Sequence, residues 1–245
     1  MDNKGFFLRK FLLVILSLFA ISCITIAVML TKAPPSKKGP ERKEPAFEIT
    51  SVIKYFPFTK ENSLREWEEK ILKNRVVYLI EKNGKLSYVK AESDKSASAL
   101  YYKIKIDINT KPKISWKWRV NKFPVRTLPE TIEGKKEEDF AARVYVIFPA
   151  AFFTNSKVIE YIWAETLPVG TCGRSGYSKN IKVLVLESGR SEAWRAESRD
   201  IYDDYVMLFG EEPRLDVGAV SFMTDADSTR TSAEAIYDDI KLGLD

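Results

Sequence analysis

The 245-residue chain contains no histidine and only two cysteines. Without an imidazole, a Ser-His-Asp triad, a Cys-His pair and a His-ligated zinc site are all excluded. Cys23 lies inside an apolar segment, so Cys172 has no cysteine partner within the folded part of the chain. No disulfide is therefore predicted there, and cysteine usage does not indicate the redox compartment.

Most of the chain also carries no net charge. Residues 1–46 hold eight Lys or Arg and three Asp or Glu, an excess of five, which equals the formal charge of +5 on the whole chain. Residues 47–245 are therefore neutral. Because a nucleic-acid surface needs an accumulated positive field, this balance argues against nucleic-acid binding. The composition, 45% hydrophobic and 30% charged, is that of a globular domain.

A long uncharged run is present near the N-terminus. Residues 11–30, FLLVILSLFAISCITIAVML, carry no charge, and a helix of that length spans about 30 Å of hydrocarbon. Three basic residues precede the run and no convincing cleavage site follows it, which favours an uncleaved signal anchor over a processed lipoprotein. We therefore predict a short flank at 1–10, a transmembrane signal anchor at 11–31, a disordered Pro/Lys-rich linker at 32–46 and a folded β-sandwich domain at 47–245.

The folded domain is predicted to consist mainly of short strands. Apolar and polar residues alternate in ten segments with the period of half-buried strands. These segments are 76–81, 85–91, 99–107, 114–120, 140–148, 159–165, 181–187, 194–199, 217–224 and 233–242. Asn83-Gly84 predicts a hairpin turn between the first two. So many strands with little helix between them predict an all-β, antiparallel β-sandwich of jelly-roll type.

Two helical segments are predicted beside the strands. Residues 59–74 place Leu64, Trp67, Ile71 and Leu72 in one apolar stripe behind a capping residue at 62 or 63, which predicts one short flanking helix. Residues 203–210 suit a short helical turn. Trp116 and Trp118 share an apolar strand face and are predicted to lie in the core.

Strand parity predicts a polar surface on the sandwich. Side chains that oppose the apolar set of each strand would share one sheet face if the strands are neighbours, and they combine planar donors, acceptors and aromatic rings that suit a glycan. The tentative ligand-binding residues are Arg119, Arg143, Tyr145, Trp163, Glu165, Arg195, Glu197 and Arg199. We expect Arg119, Arg143, Tyr145 and Arg199 to face one open surface. An internal salt-bridge lattice on a solvated sheet is the alternative.

Asp225 and Asp227 lie in the polar turn between the last two predicted strands, in the string DADST. The string also opens a phosphatase motif, but the chain lacks the βαβ repeats that such a site needs. Two interpretations stay open for the two carboxylates. They bond amide groups of the turn, or they hold a structural Ca²⁺ together with carbonyl oxygens.

Five sequence blocks resemble one known family. The blocks are SWKWRV (115–120), DFAARVYVIF (139–148), YIWAETLPVGT (161–171), WRAESRDIYDDYVMLFGEEP (194–213) and VGAVSFMTDADSTRTSAEAIYDDIKL (217–242). Together they resemble the bacterial domain-of-unknown-function family 3047, over about residues 47–242. The resemblance implies an extracytoplasmic domain, whereas the charges flanking the apolar run conflict on orientation. The strand order and the ending YDDIKL are also similar to galactose-binding-like jelly rolls, a likeness of fold alone.

These observations predict a membrane-anchored protein whose periplasmic or extracellular β-sandwich binds carbohydrate or envelope glycan without catalysis. No catalytic residue and no cofactor other than the tentative Ca²⁺ is assigned. A carboxylate-dependent glycosidase or polysaccharide lyase is the first alternative, since paired carboxylates are the remaining acid-base groups in a chain without histidine. An envelope scaffold that binds another protein is the second.

Overall fold

The computed structural model describes residues 49–134, 138–152 and 155–245. The flank, the transmembrane anchor and the linker predicted for residues 1–46 lie outside these ranges and stay predictions. Within the described ranges, no helix has the length and hydropathy that crossing a membrane requires.

The described residues form thirteen strands and one α-helix. The strands are β1 Ser51–Phe56, β2 Glu68–Lys73, β3 Val77–Asn83, β4 Leu86–Asp94, β5 Ala97–Ile106, β6 Lys113–Lys122, β7 Ala142–Phe148, β8 Lys157–Ala164, β9 Cys172–Arg174, β10 Ile181–Ser188, β11 Arg195–Asp200, β12 Val217–Asp225 and β13 Ser232–Leu244. The helix, α1, spans Ile201–Phe209. The ten predicted strands are confirmed, and the sequence did not reveal β1, β2 and β9.

The strands form two sheets. One has six strands in the order β11-β6-β13-β4-β3, with β1 paired to the end of β13. The other has seven strands in the order β2-β5-β12-β7-β8-β10-β9. Every strand pair is antiparallel except β8 and β10, which run parallel. The predicted β-sandwich is confirmed, and its seven-stranded sheet is mixed rather than wholly antiparallel.

Aromatic rings fill the space between the sheets. Trp116 and Trp118 of β6 are 1% and 0% exposed. The ring of Trp116 lies 5.3 Å from that of Tyr161 on β8, and Trp118 lies 5.9 Å from Trp163. The predicted core position of the two tryptophans is confirmed. The outer faces of the sheets are therefore the surfaces that a ligand can reach.

The helix predicted over 59–74 is wrong. This segment forms a 3-10 helix over Glu61–Glu66 and then β2, which pairs with the edge of the seven-stranded sheet. Trp67 lies between the two elements, 6% exposed, with its ring 4.6 Å from Phe56. Backbone pairing with β5 outweighs the local helical pattern, since an apolar stripe this short fits either periodicity. The helical turn predicted near 203–210 is confirmed as α1.

The last two strands belong to different sheets. β12 lies inside the seven-stranded sheet between β5 and β7, whereas β13 lies inside the six-stranded sheet. The turn that joins them is held by Asp139, whose carboxylate accepts hydrogen bonds from the amides of Ser228 and Thr229. The turn therefore connects the two layers of the sandwich.

Candidate functional site

A cleft lies on the outer face of the seven-stranded sheet. Its walls come from β2, β5, β12, β7, β8 and β10 and from the segment between β9 and β10, and its cavity volume is about 60 Å³. Tyr145 and Tyr177 present half-buried rings to it, beside the buried apolar side chains of Ile147, Val158 and Met223. This cleft is the candidate site.

A row of polar side chains crosses four neighbouring strands at this face. Directly paired residues share a face of a sheet, and the register pairs Ser221 on β12 with Tyr101 on β5 and with Tyr145 on β7. Tyr145 in turn pairs with Glu160 on β8. At the usual spacing between strands, this polar row is about 14 Å long. Its last three members line the cleft.

Arg143 lies beneath the polar row at the centre of a buried ion cluster. Its guanidinium donates from Nε to Oδ1 of Asp225 at 3.0 Å and from Nη2 to Oδ2 at 2.7 Å. It also donates from Nη1 to Oε1 of Glu160 at 2.5 Å. Arg143, Asp225 and Glu160 are 4%, 4% and 2% exposed. Charges removed from water this far are tolerated because they are paired and hydrogen-bonded.

Glu138 is a further acid beside this ion cluster. It is 2% exposed, its backbone carbonyl accepts from Nη2 of Arg143, and its Oε1 accepts from Ser175 Oγ at 2.9 Å. Its Oε2 is buried with no hydrogen-bond partner among the described residues. Burial raises the pKa of the Glu138 carboxyl to about 9, against the opposing effect of Arg143. Glu138 therefore keeps its proton at neutral pH.

The donor set does not fit the Ca²⁺ predicted at Asp225 and Asp227. Carboxylate oxygens of Asp139, Asp225 and Asp227 do lie within 4.8 Å of one another. Both oxygens of Asp225, however, accept from Arg143, and Oδ1 also accepts from the amide of Phe140. A guanidinium in contact with both oxygens repels a second cation there. The alternative, that Asp225 and Asp227 bond amides of the turn, is not what the structure shows either: the amides of Ser228 and Thr229 donate to Asp139.

The predicted ligand residues do not share one surface. Arg143 and Tyr145 line the cleft on the seven-stranded sheet. Arg119 belongs to β6 of the other sheet, where its Nε donates to Asn121 and its guanidinium lies 5.9 Å from the ring of Trp194. The outer faces of two packed sheets point in opposite directions, so Arg119 cannot meet Arg143. The expectation of one open surface is corrected on this point.

The parity predicted for residues 194–199 is wrong by one position. Arg195, Glu197 and Arg199 pair with Trp118, Trp116 and Ile114, which are core residues, so the three face inward. Glu197 is 3% exposed and accepts from Nε1 of Trp118 at 3.3 Å. Arg199 pairs with Asp204 of α1. Only Arg195, at the strand end, is exposed.

The last two predicted ligand residues lie on β8 and at its end. Trp163 is 1% exposed, and its Nε1 donates to the carbonyl of Gly189 at 2.8 Å. This side chain belongs to the core and cannot stack on a ligand. Glu165 pairs with Arg190 at 2.8 Å, and it does not line the cleft.

Sequence analysis missed Glu160, Glu138, Ser175, Tyr177 and Ser221. A signal for Glu160 was available, because it is the charged residue within the apolar run VIEYIWA at 158–164 and has the parity opposite to Tyr161 and Trp163. A carboxylate inside a buried strand requires a cationic partner. The other four depend on register and loop geometry that alternation along one strand does not reveal.

The sequence profile of one family, described as "Protein of unknown function (DUF3047)", matches residues 65–241. The chain belongs to the DUF3047 family. No curated protein matches it by sequence. The part of this DUF3047 chain that matches the family includes every residue that lines the cleft, from Leu72 to Met223.

Several solved structures are distantly similar to the DUF3047 fold. The carbohydrate recognition domain of Emp47p is 8% identical with a TM-score of 0.46, covering 81% of this chain and 99% of that one. Endoglucanase 3 of Trichoderma harzianum, from family GH12, is 12% identical with a TM-score of 0.39, covering 82% and 98%. The Endo-D glycoside hydrolase domain of Streptococcus pneumoniae R6 is 10% identical with a TM-score of 0.36, covering 72% and 21%. The chain thus spans about a fifth of that last domain, and similarity this weak carries no information on function.

Proposed function

We propose that this chain is a membrane-anchored, extracytoplasmic β-sandwich that binds a glycan, without catalysis, in the cleft of the seven-stranded sheet. The observation that carries the proposal is the polar row beside two half-buried tyrosine rings. Sugars present hydroxyls at their edges and C–H groups on their faces. A site that combines hydrogen-bonding side chains with aromatic rings matches both.

The size of the cleft limits how a glycan binds. Pockets that enclose a small molecule usually measure about 300–1,000 Å³, and this cavity measures about 60 Å³. A sugar ring therefore does not enter whole. Because Tyr101, Ser221 and Glu160 are only 4%, 4% and 2% exposed, the proposed ligand lies over the rings of Tyr145 and Tyr177 and inserts one group toward Glu160.

The anchoring part of the proposal depends on residues 11–30. Their 20 uncharged residues are long enough to span a bilayer, and basic residues precede them. The position outside the cytoplasm is inferred from the family resemblance. Protease added to spheroplasts should digest the domain of the full chain, and protection until lysis contradicts this orientation. N-terminal sequencing of the mature protein should give a start before residue 11.

A glycan array tests the binding. The full chain should bind at least one glycan class, and Tyr145→Ala should weaken that binding about tenfold or more, since it removes a ring and a hydroxyl from the cleft wall. Tyr88→Ala is the matched control, because Tyr88 is a partly buried tyrosine on the six-stranded sheet. Absence of any bound glycan, or an equal loss in both variants, contradicts the proposal.

One observation favours a second candidate, glycoside hydrolysis. Glu138 holds a proton while Glu160 is ion-paired with Arg143, and a protonated carboxyl beside an ionised one is the pair that glycosidases use. In this candidate Glu160, which lines the cleft, attacks the sugar carbon or activates water; Glu138 is 2% exposed and does not line the cleft, so it must become accessible before it can protonate the leaving glycosidic oxygen. Release of reducing ends from a bound glycan, abolished by Glu138→Gln and by Glu160→Gln, would establish hydrolysis over binding alone.

A further inference from the structure

The buried ion cluster holds fewer basic side chains than acidic ones. Arg143 bonds both oxygens of Asp225 and one oxygen of Glu160. Two buried acids share this one guanidinium, and burial raises the pKa of the Asp225 carboxyl well above its usual range, so the cluster has no spare positive charge. Glu138 adds a third acid, and burial raises its pKa to about 9. Two cations near this face are paired with acids, Lys103 with Glu68 and Lys73 with Asp227.

Glu160 is the acid of the cluster that lines the cleft. Its side chain is 3% exposed and lines the cleft. Oε1 accepts from Arg143, and Oε2 has no hydrogen-bond donor among the described residues. Oε2 is not among the fully buried unpartnered atoms of the described residues, so it stays open to the cleft, where a ligand hydroxyl or ammonium group can donate to it.

The cation that lines the cleft, Arg143, is already bonded to acceptors of the protein. Arg143 directs its guanidinium to Asp225, Glu160 and the carbonyl of Glu138. A carboxylate or sulfate on the ligand must displace Glu160 from Arg143 while facing its charge in a medium of low dielectric. A hydroxyl or an ammonium group meets no such repulsion.

We infer that the cleft selects neutral or amino sugars over acidic ones, and that Glu160 is the residue that makes this selection by accepting a hydrogen bond from the ligand at Oε2. The inference rests on the proposed glycan binding and specifies its ligand class. Arg143 then acts as a positioning residue, which fixes the Glu160 carboxylate and does not itself contact the ligand.

Three hexasaccharide probes of equal length test the selection with the full chain: a β-1,4-glucan, a chitosan and an oligogalacturonate. The wild type should bind the glucan or the chitosan at least about tenfold more tightly than the oligogalacturonate. Glu160→Gln keeps the shape and removes the charge, so it should weaken the preferred binding about tenfold or more, the range for a hydrogen bond to a charged group, and reduce the discrimination. Glu92→Gln, on the outer face of the other sheet, is the control and should change neither.

A second pair of variants adds a charge without touching the ion cluster. Leu72→Lys places a cation at the rim of the cleft and should raise affinity for the oligogalacturonate. Ile71→Lys adds the same charge one position along β2, where the side chain points to the opposite face, and should not. The pair keeps the test valid if Glu160→Gln fails to fold.

The outcomes distinguish the ligand preference of the cleft from glycan binding itself. Tighter wild-type binding to the oligogalacturonate, or no change in discrimination in Glu160→Gln and Leu72→Lys, overturns the selection and leaves glycan binding standing. Failure of the wild type to bind these probes and every glycan on the array overturns the proposed function itself.

Discussion

The outer faces of the two sheets use the same residue types in opposite ways. On the six-stranded sheet, Lys90 contacts Glu92, Glu81 and Glu234 at 2.6 to 3.6 Å, and these acids are 25 to 42% exposed. On the seven-stranded sheet, Arg143 contacts carboxylates that are 3 and 6% exposed. The first face is the solvated salt-bridge lattice that the sequence left open as an alternative. The second is a buried ion cluster beneath a cleft.

The two faces differ because other segments bury the ion pairs of one and not of the other. Backbone from 138–140, the segment that contains Ser175 and Tyr177, and β2 all border the outer face of the seven-stranded sheet near Arg143. Described residues do not cover Lys90 in the same way, and its side chain stays 21% exposed. Strand alternation predicts on which face of the sheet a side chain lies. How much an ion pair on that face contributes to stability depends on whether other segments bury it.

The largest expected effect separates the two faces directly. Arg143→Ala leaves Asp225 and Glu160 buried without their cation and should lower the free energy of unfolding by about 3–5 kcal/mol. Arg119→Ala, on the other face, should lower it by less than about 1 kcal/mol. Urea unfolding of both variants measures the two values. Similar losses of unfolding free energy in the two variants would mean that the buried ion cluster contributes no more to stability than the solvated face does.

A smaller effect concerns pH. The folded-state pKa of Glu138 is raised to about 9 from an ordinary value of 4.5. Between these values the folded state holds a proton that the unfolded state has released, so the stability from Glu138 is present at low pH and is lost as pH rises toward 9. The difference in unfolding free energy between wild type and Glu138→Gln should therefore change with pH, in favour of the variant at higher pH, by up to about 1.4 kcal/mol per pH unit.

Urea titrations at pH 5, 7 and 8.5 measure this difference, and titrating groups that do not interact with Glu138 cancel in it. Glu81→Gln serves as the control on the solvated face and should show no such trend. Parallel pH profiles for wild type and Glu138→Gln would mean that Glu138 titrates normally and is ionised at neutral pH.

The smallest effect lies in the solvated lattice. Lys90→Met keeps most of the side-chain length and removes the charge, and it should change the free energy of unfolding by less than about 1 kcal/mol. This small change should vanish in 1 M salt, because exposed charges are screened over a few ångströms there. Unfolding at low and high salt checks both statements. A salt-independent loss above 2 kcal/mol would mean that this face is also energetically buried.

The sequence predicted the sandwich well because alternation reports burial strand by strand. All ten predicted strands exist, and the aromatic core formed by Trp116 and Trp118 was expected from their shared face. The segment 59–74 failed because edge pairing with β5 is a long-range interaction that a local helical pattern does not contain. The parallel pairing of β8 with β10 could not be predicted either, because the connection between two strands, and not their composition, sets their relative direction.

The site was harder to predict than the fold. Parity brought Arg143 and Tyr145 to the correct shared face, but it says nothing about which sheet a strand joins, and so Arg119 was grouped with them. For residues 194–199 the parity itself was misassigned, because Trp194 is partly exposed and lies over Arg119 rather than in the core. If an aromatic residue is assumed to point into the core but points outward, every residue of its strand is assigned to the wrong face.

The position of β13 has a consequence for how the chain is made. Its neighbours β6, β4 and β1 all precede it, and it lies at the centre of the six-stranded sheet. During synthesis that sheet lacks its middle strand until residues 232–244 have left the ribosome, so the earlier strands wait with unpaired edges. The six-stranded sheet is therefore completed after the seven-stranded sheet, whose last strand in the chain is β12.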